Sequence, residues 1–191
     1  MRKLIVEEWI SLDGYVADKD GNLDFFTSLT ADQNKYSDND QLKFLETVDT
    51  ILLGRKTYEL FVDFWPTATT DKEVIADKLN EIKKVVLSNT LTKAPWGDWP
   101  EAEVINGNAT DTVKKLKLQE GKNIVLWGSI SLVQSLMKEN LIDEYHIQLC
   151  PVMTGGGRPL FPDQEFRKLK RLDLRQYNTG TVFLSYEPVK Q

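Results

Sequence analysis

Short apolar runs alternate with amphipathic stretches along most of the chain. Leu4 to Ile10 predicts a strand, apolar at positions 4, 5, 6, 9 and 10. Residues 11–36 are rich in loop formers and include Gly14 and Gly21. Asp38 to Thr47 has helical spacing, with Leu42, Phe44 and Leu45 supplying the apolar face. Ile51-Leu52-Leu53 predicts a buried strand ended by Gly54, and Thr57 to Phe64 a helix. Thr70 and Glu73 have the spacing of a capping box, in which the two side chains satisfy free helix N–H groups. That predicts a helix running from there to about Ile82. Lys84 to Ser88 is another short strand. Residues 90–100 carry Trp96 and Trp99 beside prolines and read as an excursion.

The same alternation continues. Glu103 to Asn106 predicts a strand, and Thr110 to Gln119 a helix that Gly121 suits as its end. Asn123 to Trp127 is a strand, and Ser129 stands where it can cap a helix running to about Glu139. Glu144 to Val152 is a longer strand. Two final strands, 166–177 and 181–187, meet at Asn178-Thr179-Gly180, whose Asn and Gly tolerate the positive φ of tight hairpins. Strands alternating with helices imply a parallel sheet covered on its faces. The expected fold class is therefore α/β: a mixed, mainly parallel central sheet flanked by helices, with a C-terminal antiparallel hairpin. Ligands of such sheets bind outside the carboxyl ends of the strands, so the strand-to-helix junctions are the places to search.

Composition narrows the function more than the fold. The 191 residues suit one domain, 1–191, and the 41% hydrophobic content argues against disorder. A formal charge of −5 argues against a nucleic-acid partner. The basic run Arg167-Lys168-Leu169-Lys170-Arg171 reads as solvated charge beside a strand. The acids Glu7 and Glu8 break the first apolar run, which does not read as a secretion signal. No apolar stretch approaches the length of a membrane span. Cys150 is the one cysteine, which fits a reducing, cytoplasmic setting; its apolar surroundings favour packing over nucleophilic work. His146 is the one histidine, so neither a His/Cys zinc site nor a Ser–His–Asp triad is expected, and no metal is assigned.

Three junctions carry the chemistry. At Leu53-Gly54-Arg55-Lys56-Thr57 a strand ends, Gly turns the chain and a helix begins. Helix N-termini offer free N–H groups and partial positive charge, which suit phosphate. Arg55 and Lys56 add two cations there, and a guanidinium can hold phosphate through paired hydrogen bonds. Leu87-Ser88-Asn89 ends another strand, where the Ser hydroxyl can join Arg55 if the strands are neighbours. At Gly128-Ser129-Ile130, after Trp127, Gly permits close backbone approach and a helix follows. One groove with sites for a 2′-phosphate and a pyrophosphate meets the demands of NADPH. Neither G-x-G-x-x-G nor a P-loop occurs in the chain.

The order Gly54-Arg55-Lys56-Thr57, Leu87-Ser88, then Gly128-Ser129 before a helix resembles dihydrofolate reductases. A closer resemblance is to the reductase domain of bifunctional riboflavin-biosynthesis proteins. It rests on Ser11-Leu12-Asp13-Gly14-Tyr15-Val16-Ala17, Asp49-Thr50-Ile51-Leu52-Leu53-Gly54, Leu141-Ile142-Asp143-Glu144 and Pro151-Val152-Met153-Thr154-Gly155-Gly156-Gly157, with Pro159-Leu160-Phe161. The resemblance implies NADPH as cofactor, with Gly54, Arg55, Lys56, Thr57, Leu87, Ser88, Asn89, Gly128, Ser129 and Ile130 lining its groove. It implies a small pterin- or pyrimidine-like substrate met by Asp13, Phe26, Thr27 and Trp127, and a homodimer.

The departures from that pattern also matter. Tyr15 stands where the riboflavin branch has Lys, and Trp127 where it has Glu. Asp38 or Asp40 stands in for the first-helix carboxylate of dihydrofolate reductases. Ser129 replaces the second Gly of the family's pyrophosphate junction, which argues against its cis peptide, because non-proline cis bonds are costly. Candidate proton donors are Asp13, Tyr15 and Asp40; Asp13 is equally a turn former. Gly155-Gly156-Gly157 is expected to be mobile, either covering the site or linking strands. A non-catalytic nucleotide-binding dimer of the same fold is the alternative reading. A third reading is a structural dimer with no small ligand, for which the Trp96–Trp99 excursion offers an interface, since Trp is enriched at hot spots.

Overall fold

The computed structural model of the chain describes residues 1–27, 35–162 and 166–189. The first half runs β1 (Leu4–Ser11), β2 (Tyr15–Ala17), α1 (Asp24–Thr27), α2 (Lys35–Glu46), β3 (Val48–Gly54), α3 (Arg55–Val62), α4 (Ala76–Glu81) and β4 (Lys83–Leu87). The second runs β5 (Glu103–Ile105), α5 (Ala109–Leu118), β6 (Asn123–Leu126), α6 (Ile130–Lys138), β7 (Glu144–Cys150), β8 (Arg158–Pro159), β9 (Leu169–Gln176) and β10 (Val182–Pro188). An eight-stranded sheet has the order β5-β4-β3-β6-β1-β7-β10-β9. The strands from β5 to β7 are parallel, and β10 runs antiparallel to both β7 and β9. The mainly parallel sheet and its antiparallel closing hairpin are those expected.

Central strands read as continuous apolar runs because both of their faces are buried. In β3, Leu52 turns to one core with Leu4, Val6, Leu126, Val133 and Leu136. Its neighbours Ile51 and Leu53 turn to the other, with Leu45, Tyr58, Leu79, Val86 and Val125. These two layers fix β1, β3, β4 and β6 side by side, so their carboxyl ends share one edge of the sheet.

Besides the Ser129 side-chain cap of α6, which does not form, the structure departs from the sequence pattern in four places. The capping box does not form: Thr69 O accepts from Lys72 N and Glu73 N in a tight turn, and α4 begins only at Ala76. The Trp96–Trp99 excursion is not an exposed interface. Trp96 is 1% exposed, donates to Asn80 Oδ1 at 2.7 Å and packs with Tyr58 and Ala94; Trp99 Nε1 donates to Pro66 O. Its rings close the α4 side of the core because each indole N–H finds a partner within the chain. The pairing of β2 with β8 was not foreseen; it ties the Asp-Gly loop to the segment after the three glycines. The Gly128–Ser129 peptide is cis, against expectation.

Candidate functional site

The three junctions come together at the carboxyl ends of neighbouring strands. A cavity of about 390 Å³ is lined by Gly54, Arg55 and Lys56 from the first junction and Leu87, Ser88 and Asn89 from the second. Ser129 joins from the third, together with Ser131 and Ser135 of α6, which sequence reasoning missed. Adjacency of β3 and β4, with Gly54 opposite Leu87, brings Ser88 to the Arg55 side. Thr57, Gly128 and Ile130 are not among the lining residues. Gly128 has φ +50° and no room for a Cβ, because Thr57 Oγ1 lies against it. Gly54 is equally confined, by Ser129 Cβ. The two glycines let the first and third junctions touch.

Helix ends supply the electrostatics. Asn108 caps α5 by accepting from Asp111 N, whereas α3 and α6 have no side-chain cap. Their first N–H groups are therefore open to an anion, and both helices start at the cavity. Ser88 Oγ accepts from Thr90 N and Leu91 N, which shapes the turn around it. Asn89 Oδ1 accepts from Gly107 N at 2.7 Å. Arg55 is half-exposed, and its Nη1 lies 2.7 Å from Glu59 Oε1 one helical turn on. A phosphate must share or displace that contact.

The proposed catalytic residues separate. Asp13 is engaged by its own loop: Ser11 Oγ donates to it at 2.6 Å, and Thr154 N and Gly155 N donate at 3.2 and 2.9 Å. These bonds, the Ser11 hydroxyl first, hold its carboxyl below the usual carboxylate value. Asp13 is thus an ionised staple on the glycine loop, unsuited to giving a proton at neutral pH. Tyr15 lies in β2, half-buried, with its N–H bonded to Ser11 Oγ. Asp40 lies away from the cofactor junctions and pairs with Arg175 Nη1 at 2.9 Å. Gln41, the next residue of α2, reaches β1 instead. Phe26 and Thr27 fall in α1, and their side chains lie outside the described residues.

Two acids of β1 were missed. Glu7 is 4% exposed, and its Oε2 accepts from Gln41 Nε2 and Trp127 Nε1, each at 2.7 Å. Burial raises its pKa, opposed by the nearby His146 and these donors. Trp127 is itself 9% exposed and packs against Phe61 in the core, from where its indole N–H holds Glu7. Glu8 points to the other face, where its Oε1 accepts from Gly128 N at 2.8 Å. Burial pushes its carboxyl up to about 8; the Gly128 N–H opposes the shift and neighbouring Glu7 adds to it. The signal was present: two charges inside an apolar strand need a reason, since buried charges are costly unless paired. Cys150 is fully buried and its thiol is pushed up to about 12, as its packing role requires.

A mainly parallel α/β sheet with an uncapped two-helix cradle at its carboxyl edge defines a reductase-like fold of the dihydrofolate-reductase type. The chain belongs to the RibD C-terminal domain family, whose family model matches residues 2–183. It is 32% identical over 189 residues to the Bacillus subtilis (strain 168) uncharacterized protein YyaP, covering 97% of this chain and 94% of the relative. Uncharacterized protein YwjB of the same organism is 34% identical over 161 residues, covering 84% and 83%. Among solved structures, a putative riboflavin biosynthesis protein from Shewanella sp. PV-4 superposes with a TM-score of 0.74 at 26% identity, covering 98% and 99%. A Thermotoga maritima diaminohydroxyphosphoribosylaminopyrimidine deaminase/5-amino-6-(5-phosphoribosylamino)uracil reductase shares the fold, with a TM-score of 0.67 at 11% identity. That alignment covers 98% of this chain and 57% of the larger protein. Among the described residues no helix is long and apolar enough to cross a membrane.

Proposed function

We propose that the protein is an NADPH-dependent reductase acting on an imine or carbonyl carbon of a small pterin- or pyrimidine-like substrate. The observation that carries this reading is the convergence of Arg55, Ser88 and the open α3 and α6 N-termini on one cavity. The donor set fits a dinucleotide: Arg55, Lys56 and Ser88 toward the 2′-phosphate, Gly128, Ser129 and Ile130 toward the pyrophosphate. When bound, the dihydronicotinamide supplies hydride. The chain's part is to orient it and to hold a proton. In this reading Glu8 holds that proton, because its protonated carboxyl is anchored to Gly128 N at the junction. Reduction of a C=N bond then places hydride on carbon and the Glu8 proton on nitrogen.

The test is steady NADPH oxidation with dihydrofolate, pterins and pyrimidine riboside phosphates. Turnover with any of them supports the reading; saturable nucleotide binding without turnover would favour the non-catalytic alternative. Glu8 gives the active case a pH signature. The rate should fall as pH rises through about 8, and Glu8→Gln should abolish that limb. The stability consequence has a definite sign. From the ordinary carboxyl value up to about 8, folded Glu8 keeps a proton that the unfolded chain has lost. Stability should therefore decline as pH rises through that window, and urea midpoints of Glu8→Gln should decline less.

A further inference from the structure

The antiparallel side of the sheet holds a second cavity, of about 450 Å³, that shares no lining residue with the cofactor groove. Its floor is polar. Glu144, His146 and Gln148 of β7 and Ser185 of β10 line it, and each is at most 9% exposed. The opposite face of β7 is ordinary core, with Tyr145 and Ile147 packed among aliphatic side chains. Buried polar groups are normally bonded within the protein. Glu144 obeys this rule, accepting from Lys3 Nζ and lying 3.2 Å from His146 Nε2. Gln148 does not: its Oε1 is buried and has no partner among the described residues.

The walls are flat. The rings of Phe44 and His146 are 4.8 Å apart between centroids, and those of His146 and Phe183 are 5.3 Å apart. Charge is lopsided. Arg175 is held by Asp40 at 2.9 Å and Asp173 at 2.7 Å, and Lys43 lies 3.6 Å from Asp40. Four carboxyls, of Glu7, Asp40, Glu144 and Asp173, thus line the cavity against two cations that are already matched. Glu7 and Glu144 are bonded within the chain, and Gln148 Oε1 is the lining acceptor without a partner among the described residues. An acceptor-rich floor between aromatic faces suits a flat group that brings donors and positive charge.

We propose that this cavity is a second small-molecule site, for an aromatic ring bearing an amidinium or amino group. The ring lies against His146 beside Phe183, over whose ring the Arg175 guanidinium already stands at 5.2 Å, and its N–H groups are directed at Gln148 Oε1. This site goes beyond the reductase reading and does not depend on it.

Benzamidine is the probe, and benzoate its anionic counterpart of similar shape. His146 is the only histidine, so its imidazole resonances report on this cavity without any substitution. Benzamidine should shift them saturably in the full chain, and benzoate should not. Gln148→Leu should weaken benzamidine by about tenfold, the loss expected for a hydrogen bond to a charged group. NADPH titrations of that variant should be unchanged. The proposal is overturned if the His146 signals do not respond, if benzoate binds equally, or if Gln148→Leu binds benzamidine as the wild type does. A dimer by light scattering whose second copy covers this face, with no benzamidine response, would make the cavity an interface and overturn it as well.

Discussion

Replacing Arg55 by Ala should weaken NADPH binding by about ten- to a hundredfold and leave NADH almost unchanged. A hydrogen bond to a charged group contributes about 1.5–3 kcal/mol, and about 1.4 kcal/mol is tenfold in affinity. Arg55 lines the cavity at the start of α3, and Ser88, just past the end of the neighbouring strand β4, lines it too. NADH has no phosphate there to lose. The ion pair with Glu59 refines this expectation. Exposed pairs one helical turn apart are worth only about 0.3–0.5 kcal/mol, so Glu59→Gln should tighten NADPH by about twofold, the opposite sign. Added salt should weaken NADPH more in the wild type than in Arg55→Ala. Calorimetric titration of both cofactors reads all three effects. Equal loss of NADPH and NADH would make Arg55 a structural residue of α3. No loss of either would remove the 2′-phosphate from this junction.

The second large effect belongs to Gly54. A Cβ at this position would overlap Ser129 Cβ, the contact that joins the first and third junctions. Overpacking of this kind costs about 1–3 kcal/mol. In a chain of this size each kcal/mol lowers Tm by about 2–4 °C. Gly54→Ala should therefore melt several degrees early and lose both NADPH and NADH, since the pyrophosphate end of the groove moves. The obstacle is one methylene, so Gly54→Ala combined with Ser129→Gly should regain stability and binding together. A single variant with wild-type melting and affinity would show that the junctions do not meet through this glycine.

The central strands were legible because burial on both faces leaves an unbroken apolar run, as in Ile51-Leu52-Leu53, and Gly54 then marks the turn. The groove was legible for the same reason: parallel order puts those turns on one edge. Elements whose partners are distant in sequence were not. The Thr70 and Glu73 spacing suggested a helix start, but the local turn at Thr69 took the N–H groups first. Trp96 looked like interface surface because its partners, Asn80 and Tyr58, arrive from α4 and α3. Asp13 reads in the sequence as either a proton donor or a turn former, and the bonds from Thr154 and Gly155 of the distant glycine loop give it a third role. Asp40 and Gln41 are adjacent in sequence, yet helix geometry sends only Gln41 to Glu7. Glu7 and Glu8 were visible as charges in a strand, and only the neighbours Trp127 and Gly128 give them a use.

The most direct measurement is a calorimetric titration of the wild-type chain with NADPH and, in parallel, NADH. Saturable binding at one site per chain is expected, with NADPH the tighter by the contribution of Arg55, Lys56 and Ser88. Absence of saturable heat with both nucleotides would contradict it.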